Sequence, residues 1–199
     1  LGRKRRADNL PEDLVVLVDD NDVPSGYGVK EKCHTVSNGV PGYHHRGLTV
    51  LVQNGRGEVL LQHRKHRIFD KVWDLAGSTH PYFHEGRQES YEDAAKRCLS
   101  TEYSGLEDAP VVNSSVFVNY AAVDPLDNRY CENEFCRLIV ASHQGAVRHN
   151  PENAYGLAWV TLPTLMSDLA RSPSKYAPWV VDLLEDVKRK RPVELSSLT

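Results

Sequence analysis

The chain has 199 residues, 40% hydrophobic and 26% charged, the size and balance of one globular domain with a real core. That balance excludes a disordered, collagen-like or coiled-coil chain. Its 24 basic and 27 acidic residues leave a net charge of −3. Eight of the basic ones lie in the runs Arg3–Arg6 and Lys188–Arg191, so the rest is strongly acidic and a broad nucleic-acid footprint is excluded.

In chain order, Leu14–Val18 reads as a strand, followed by a turn through Asp19–Asp22 and Pro24–Gly26. Leu48–Val52 and Val59–Gln62 read as two strands around the hairpin turn Asn54-Gly55-Arg56-Gly57. From Ser90 to Tyr103 the period changes to helical, with Tyr91, Ala94, Ala95, Cys98 and Leu99 on one stripe, Ser90 and Asp93 spaced as a capping pair, and Gly105 just past the end. Val116–Tyr120 and Glu132–Ala141 return to strand on either side of a turn rich in Asp, Pro and Asn, and Ala158–Val160 is a short last strand. Thr164–Arg171 and Pro178–Arg189 read as helices. The sum predicts a mixed sheet with helices packed on it, an α+β fold layered as an α/β/α sandwich. With no repeat or long linker, residues 11–187 are expected as a single domain, flanked by flexible basic tails at 1–10 and 188–199.

The longest apolar runs, such as Leu14–Val18 and Leu48–Val52, fall far short of the ~18–20 residues of a membrane span. Polar and acidic residues, not an apolar stretch, follow Arg3–Arg6, so a cytoplasmic address is expected. Cys33, Cys98, Cys131 and Cys136 have no CxxC spacing and are expected as free thiols, which drops zinc-finger and disulfide-scaffold readings.

Two acids in Cys131-Glu132-Asn133-Glu134-Phe135-Cys136 are separated by one residue, and the strand period puts both carboxylates on the face of Cys136 and Leu138. Two carboxylates on an apolar face need a cation or a shared proton, unless that face is a solvated edge. His34, the pair His44-His45 and His80 fall at the ends of predicted strands, where loop-mouth ligands sit, although each alone reads as structural. Three imidazoles and two carboxylates would make a set for Mn, Fe, Zn or Mg. Trp73–Pro81, with Ala76-Gly77 inside it, leads toward a helix whose stripe Ala94, Cys98, Glu102 ends in an acid aimed back at that loop. That is one way to build a site for a diphosphate and its metal.

At these residues the chain resembles the Nudix superfamily and, within it, the type 1 isopentenyl-diphosphate delta-isomerases. The resemblance runs from about Leu14 to Trp179 and rests on His34-Thr35, His45, Trp73 to His80-Pro81, Glu102 after Arg97, Tyr120 before Asp124-Pro125, Glu132-Asn133-Glu134 with Cys136, and Ala177-Pro178-Trp179. It implies the Nudix fold and one divalent metal (Mn²⁺, Zn²⁺ or Fe²⁺) on His34, His45, His80, Glu132 and Glu134. It also implies that Glu102 helps bind a Mg²⁺ held by the substrate diphosphate. Lys30, Arg64, Lys65 and Arg67 would contact the diphosphate, and Tyr120 and Trp179 would line the hydrocarbon pocket, where an aromatic face stabilises a carbocation-like centre.

The implied reaction turns isopentenyl into dimethylallyl diphosphate by protonating one carbon and deprotonating another, with Glu134, Ser78 and Tyr120 as the catalytic set. One departure stands out: Ser78 occupies the position of the family's catalytic cysteine, and a hydroxyl is a far weaker acid than a thiol, whose reference pKa is ~8.5. Against a Nudix hydrolase, whose box carries Arg-Glu-x-x-Glu-Glu, Arg97-Cys98-Leu99-Ser100-Thr101-Glu102 keeps only the last acid, though Ala76-Gly77 looks hydrolase-like. The expectation is a monomeric, metal-dependent isoprenoid diphosphate enzyme of isomerase type. A hydrolase of prenyl or nucleoside diphosphates, and a silent diphosphate binder, are the alternatives.

Overall fold

The structure, a computed structural model, describes residues 14–190. The basic segment 1–10 and the chain beyond residue 190 lie outside the described residues. Strands β1 (Leu14–Val18) and β2 (Pro24–Val29) form a hairpin, followed by the single turn α1 (Lys30–Cys33). The long strand β3 (His45–Asn54) turns into β4 (Glu58–Arg64) through a tight loop in which Gly57 takes φ +73°. Four short strands come next: β5 (Trp73–Asp74), β6 (Gly77–Thr79), β7 (Tyr82–His84) and β8 (Arg87–Gln88). Helix α2 (Tyr91–Glu102) and the ribbon strand β9 (Tyr103–Ser104) precede the 13-residue pair β10 (Val111–Val123) and β11 (Cys131–His143). The chain closes with β12 (Arg148–His149), β13 (Ala154–Thr161), α3 (Leu162–Arg171) and α4 (Pro178–Lys190).

β3 is the axis of the main sheet. β11 runs parallel along one edge, with Glu134 opposite His45, and β10 pairs outside it. Along the other edge β3 meets β1 at His45, β6 at Leu48–Val50 and β4 at Gln53. Alternation along the strands splits the core in two. Leu51, Val59, Leu61, Cys136 and Leu138 pack with Leu165, Leu169, Val180, Leu183 and Leu184 of α3 and α4. Leu48, Val50, Val52, Leu60 and Ile139 pack with Tyr91, Ala94, Ala95 and Leu99 of α2. Helices therefore cover both faces of a mixed sheet, the expected α/β/α sandwich.

Ser90 caps α2 by accepting the Asp93 amide at 3.0 Å, an interaction worth about 1 kcal/mol. Gly105 does not stop that helix, because Tyr103 leaves it extended to pair in a ribbon with His149. Gly105 instead takes φ +101° where a Cβ would overlap the Ala146 carbonyl. The segment read as a turn through Pro24–Gly26 is the start of β2. The turn is shorter than composition suggested, because Val15–Leu17 of β1 finds partners in Gly26–Gly28. Trp73–Pro81, read as a loop, holds β5 and β6. Helix α4 continues to Lys190, three residues into the segment read as a tail, with Arg189 pairing Asp186 at 3.1 Å. All four cysteines are buried and free. Among the described residues no helix is long and apolar enough to cross a membrane.

Candidate active site

His34, His45, His80, Glu132 and Glu134 are all buried, and one ligand atom from each lies within 4.8 Å of the others. The fold explains the convergence. His45 opens β3 directly beside Glu134 of β11, Glu132 lies two residues back on the same face, His80 follows β6, and His34 caps α1. The imidazoles are aimed by backbone carbonyls: Nδ1 of His34 donates to Lys30 O at 2.6 Å and Nδ1 of His45 to Tyr43 O at 2.8 Å. Those bonds leave each Nε2 lone pair facing the cluster. His34 Nε2 is 3.0 Å from Glu132 Oε2, and His80 Nε2 is 2.7 Å from Glu134 Oε1 and 3.2 Å from His34 Nε2.

These residues fit a divalent cation. His45 Nε2 and Glu132 Oε2 are buried with no hydrogen-bond partner. Lone pairs facing one another at such distances repel unless a cation or a proton lies between them. A His₃Glu₂ donor set suits Zn, Mn or Fe better than the all-oxygen preference of Mg. Gly47 of β3 makes room for one of the ligands, since a Cβ there would overlap the Glu134 carboxylate.

Without a cation the cluster must hold protons. Burial pushes His45 down to about 4 and His80 well below its usual value. Burial, then the neighbouring Glu132, pushes Glu134 well above the carboxylate range. At Glu132 burial acts upward but pairing with His34 outweighs it, so Glu132 ends low and His34 high. A cation bound here would compete with protons for these ligands. Metal uptake is therefore expected to release protons and to weaken as pH falls, because acid refills the ligands. Titration calorimetry in buffers of different ionisation enthalpy reads this directly. Gly47→Ala is expected to lower metal content per chain by more than half in elemental analysis, by displacing Glu134.

The cluster forms one end of a cavity of about 540 Å³. His45 sits behind it, every other residue to which the resemblance gave a catalytic, substrate or metal role lines it, and His44 turns away, its Nδ1 3.1 Å from the Val18 carbonyl. The rim is cationic: Lys30 Nζ bonds Tyr82 Oη at 3.1 Å, Lys65 Nζ bonds the Pro151 carbonyl at 2.9 Å, and Arg67 stacks on Tyr130 with its guanidinium 4.6 Å from the ring centroid. Glu102 reaches in from the end of α2, accepts Gln62 Nε2 at 2.5 Å, and is pushed above its usual range by burial. Tyr120 stands opposite Glu134 in the β10–β11 register and donates its hydroxyl to Glu134 Oε2 at 2.5 Å. Burial and then that carboxylate hold the phenol well up. Trp179 closes the wall beside Tyr120 at 6.0 Å between centroids.

Ser78 bonds Thr49 Oγ1 and Asp74 Oδ2, each at 2.9 Å. Asp74, fully buried, also accepts Arg64 Nη1 at 2.8 Å, the Leu75 amide at 2.8 Å and the Trp179 indole at 2.9 Å. The sequence reading assigned no role to Asp74, Gln62, Thr49 or Gly47. Only Asp74 carried a signal, as a charge inside the apolar segment Val72–Ala76.

This layered fold, with α2 aiming a carboxylate into a cavity edged by the sheet, is that of the NUDIX family, to which the chain belongs: the NUDIX domain model matches residues 43–182. Within it the chain is similar to proteins named isopentenyl-diphosphate Delta-isomerase. One from Paenarthrobacter aurescens (strain TC1) is 31% identical over 171 residues, covering 84% of this chain and 86% of that one. Another, from Klebsiella pneumoniae (strain 342), is 29% identical over 167 residues with the same coverage. Among solved structures, DR0079 from Deinococcus radiodurans superposes with a TM-score of 0.60 at 18% identity, covering 89% of this chain and 99% of that one, which speaks to the fold alone.

Proposed function

We propose that this chain is a metal-dependent enzyme that interconverts isopentenyl and dimethylallyl diphosphate. The observation that carries the reading is the buried His₃Glu₂ cluster, with Glu134 shared between it and Tyr120, at the end of a cavity walled by Trp179 and rimmed by cations. Membership of the NUDIX family and the relatives named as isomerases support an enzyme.

In this reading Lys30, Arg64, Lys65 and Arg67 hold the diphosphate, and Glu102 offers its carboxylate to the Mg²⁺ that a diphosphate carries. A divalent cation held by His34, His45, His80, Glu132 and Glu134 would supply charge that keeps Glu132 ionised. Tyr120 orients Glu134 through its hydroxyl, and Glu134 carries the proton delivered to the terminal alkene carbon. The π faces of Trp179 and Tyr120 stabilise the positive charge that develops at the tertiary carbon. Lys65 and Arg67 exchange their present partners, the Pro151 carbonyl and Tyr130, for phosphate oxygens.

A hydrolase remains the second reading, favoured by Ala76-Gly77, but α2 presents one carboxylate to the cavity. Arg97 is tied to Glu89 at 2.8 Å, and Cys98 is buried against Glu102. Water activation on a diphosphate asks for more carboxylates than that. Incubating the metal-loaded protein with isopentenyl diphosphate and Mg²⁺ is expected to yield dimethylallyl diphosphate. Isopentenyl monophosphate as the product would establish the hydrolase, and no turnover the binder.

A further inference from the structure

We infer that Asp74, acting through the Ser78 hydroxyl, is the proton acceptor at the position where Ser78 stands in place of a thiol. The inference rests on the isomerase reading above. Ser78 has one proton and two acceptors within 2.9 Å, Thr49 Oγ1 and Asp74 Oδ2. A carboxylate is the stronger acceptor, so the proton lies toward Asp74. Thr49 brings its own proton and has the Gly77 carbonyl at 3.2 Å as an alternative partner. Ser78 Oγ therefore keeps a lone pair for the cavity it lines.

All four groups on Asp74 are donors, so it enters the reaction as a carboxylate. Arg64, Trp179 and Ser78 all line the cavity, but of the four donors only the hydroxyl can give up its proton to Asp74 while accepting another on the same atom. The rest set its position: Arg64 from β4, Trp179 from α4 and the Leu75 amide. The placement also suits a reaction needing donor and acceptor on different sides of the substrate. Glu134 stands on β11 along one edge of β3, and Ser78 on β6 along the other.

Counting carbons from the one that bears the diphosphate, Glu134 gives its proton to C4, the C3–C4 π pair forms the new C4–H bond, and C3 becomes cationic. The C2–H bond then breaks, its electron pair forms C2=C3, and the proton passes to Ser78 Oγ as the Ser78 proton crosses to Asp74 Oδ2. One proton enters and one leaves, Glu134 ends ionised and Asp74 protonated, and exchange with solvent through the open cavity resets both. A C–H bond beside a carbocation is strongly acidic, so the acceptor needs position and a lone pair more than intrinsic basicity. That is why a serine suffices where protonating an alkene would defeat it.

The test uses the full-length metal-loaded protein, isopentenyl diphosphate with Mg²⁺, and the same substrate deuterated at C2. Asp74→Asn is expected to lower kcat by about 100-fold with KM changed less than about threefold, and to raise the C2 isotope effect because proton removal becomes rate-limiting. Ser78→Ala leaves the Asp74, Arg64 and Trp179 contacts in place, so it keeps the test valid if Asp74→Asn folds poorly. It is expected to lose as much, with the double variant no worse than either single one. If the parent protein isomerises and Ser78→Ala keeps its kcat, or loss appears in KM alone with an unchanged isotope effect, Asp74 is structural and the relay is wrong. If the parent makes no dimethylallyl diphosphate, the isomerase reading itself falls and takes the relay with it.

Discussion

Replacing Glu134 by Gln is expected to lower kcat by at least about 1,000-fold, ~4 kcal/mol in barrier, near the upper range for one general acid. The amide is nearly isosteric and still accepts the Tyr120 hydroxyl, now 2.5 Å from Glu134 Oε2. What disappears is the titratable carboxyl, which burial and then Glu132 push well above the carboxylate range. Because Glu134 also belongs to the proposed metal-binding cluster, the measurement pairs turnover with metal content. A variant that keeps its metal, binds substrate and turns over at the parental rate would show that the proton comes from elsewhere. If metal and activity vanish together, adding metal back in excess separates the two roles.

Arg64→Met is expected to be the most destabilising change at the site. Arg64 is buried, its Nη1 is 2.8 Å from Asp74, its Nε is 3.3 Å from the Phe69 carbonyl, and its guanidinium lies 5.0 Å from the Trp179 ring centroid. Methionine fills much of the volume but leaves Asp74 with three hydrogen bonds and no countercharge at zero exposure. Breaking a buried pair from one side costs about 3–5 kcal/mol, roughly 10 °C in Tm for a chain of this size. Calorimetry checks it. Adding Asp74→Asn to Arg64→Met should recover much of the loss, since it removes the stranded charge. A single variant that melts within about 2 °C of the parent would mean that Asp74 is neutralised by another route.

The sequence by itself determined the longer strands, the three long helices and the ligand types, while β2 and the short strands β5 to β9 and β12 escaped it. Period-two alternation places Glu132, Glu134, Cys136 and Leu138 on one face, and the helical stripe ending at Glu102 lies where the structure has it, because these patterns follow from backbone geometry alone. Local propensity also placed β3, β4 and the Ser90 cap, whose determinants lie within a few residues of one another. Convergence could not be read that way. His34, His45 and His80 are spread over 46 residues, and only the parallel register of β11 on β3 and the pairing of β6 with β3 bring them within reach of Glu132 and Glu134. Gly47 is silent in sequence because its meaning is the volume that Glu134 occupies on a neighbouring strand. Asp74 is decided wholly by tertiary structure: Arg64, Ser78 and Trp179 come from β4, β6 and α4, and a buried carboxylate is defined by the donors that folding gathers around it, not by its neighbours in the chain.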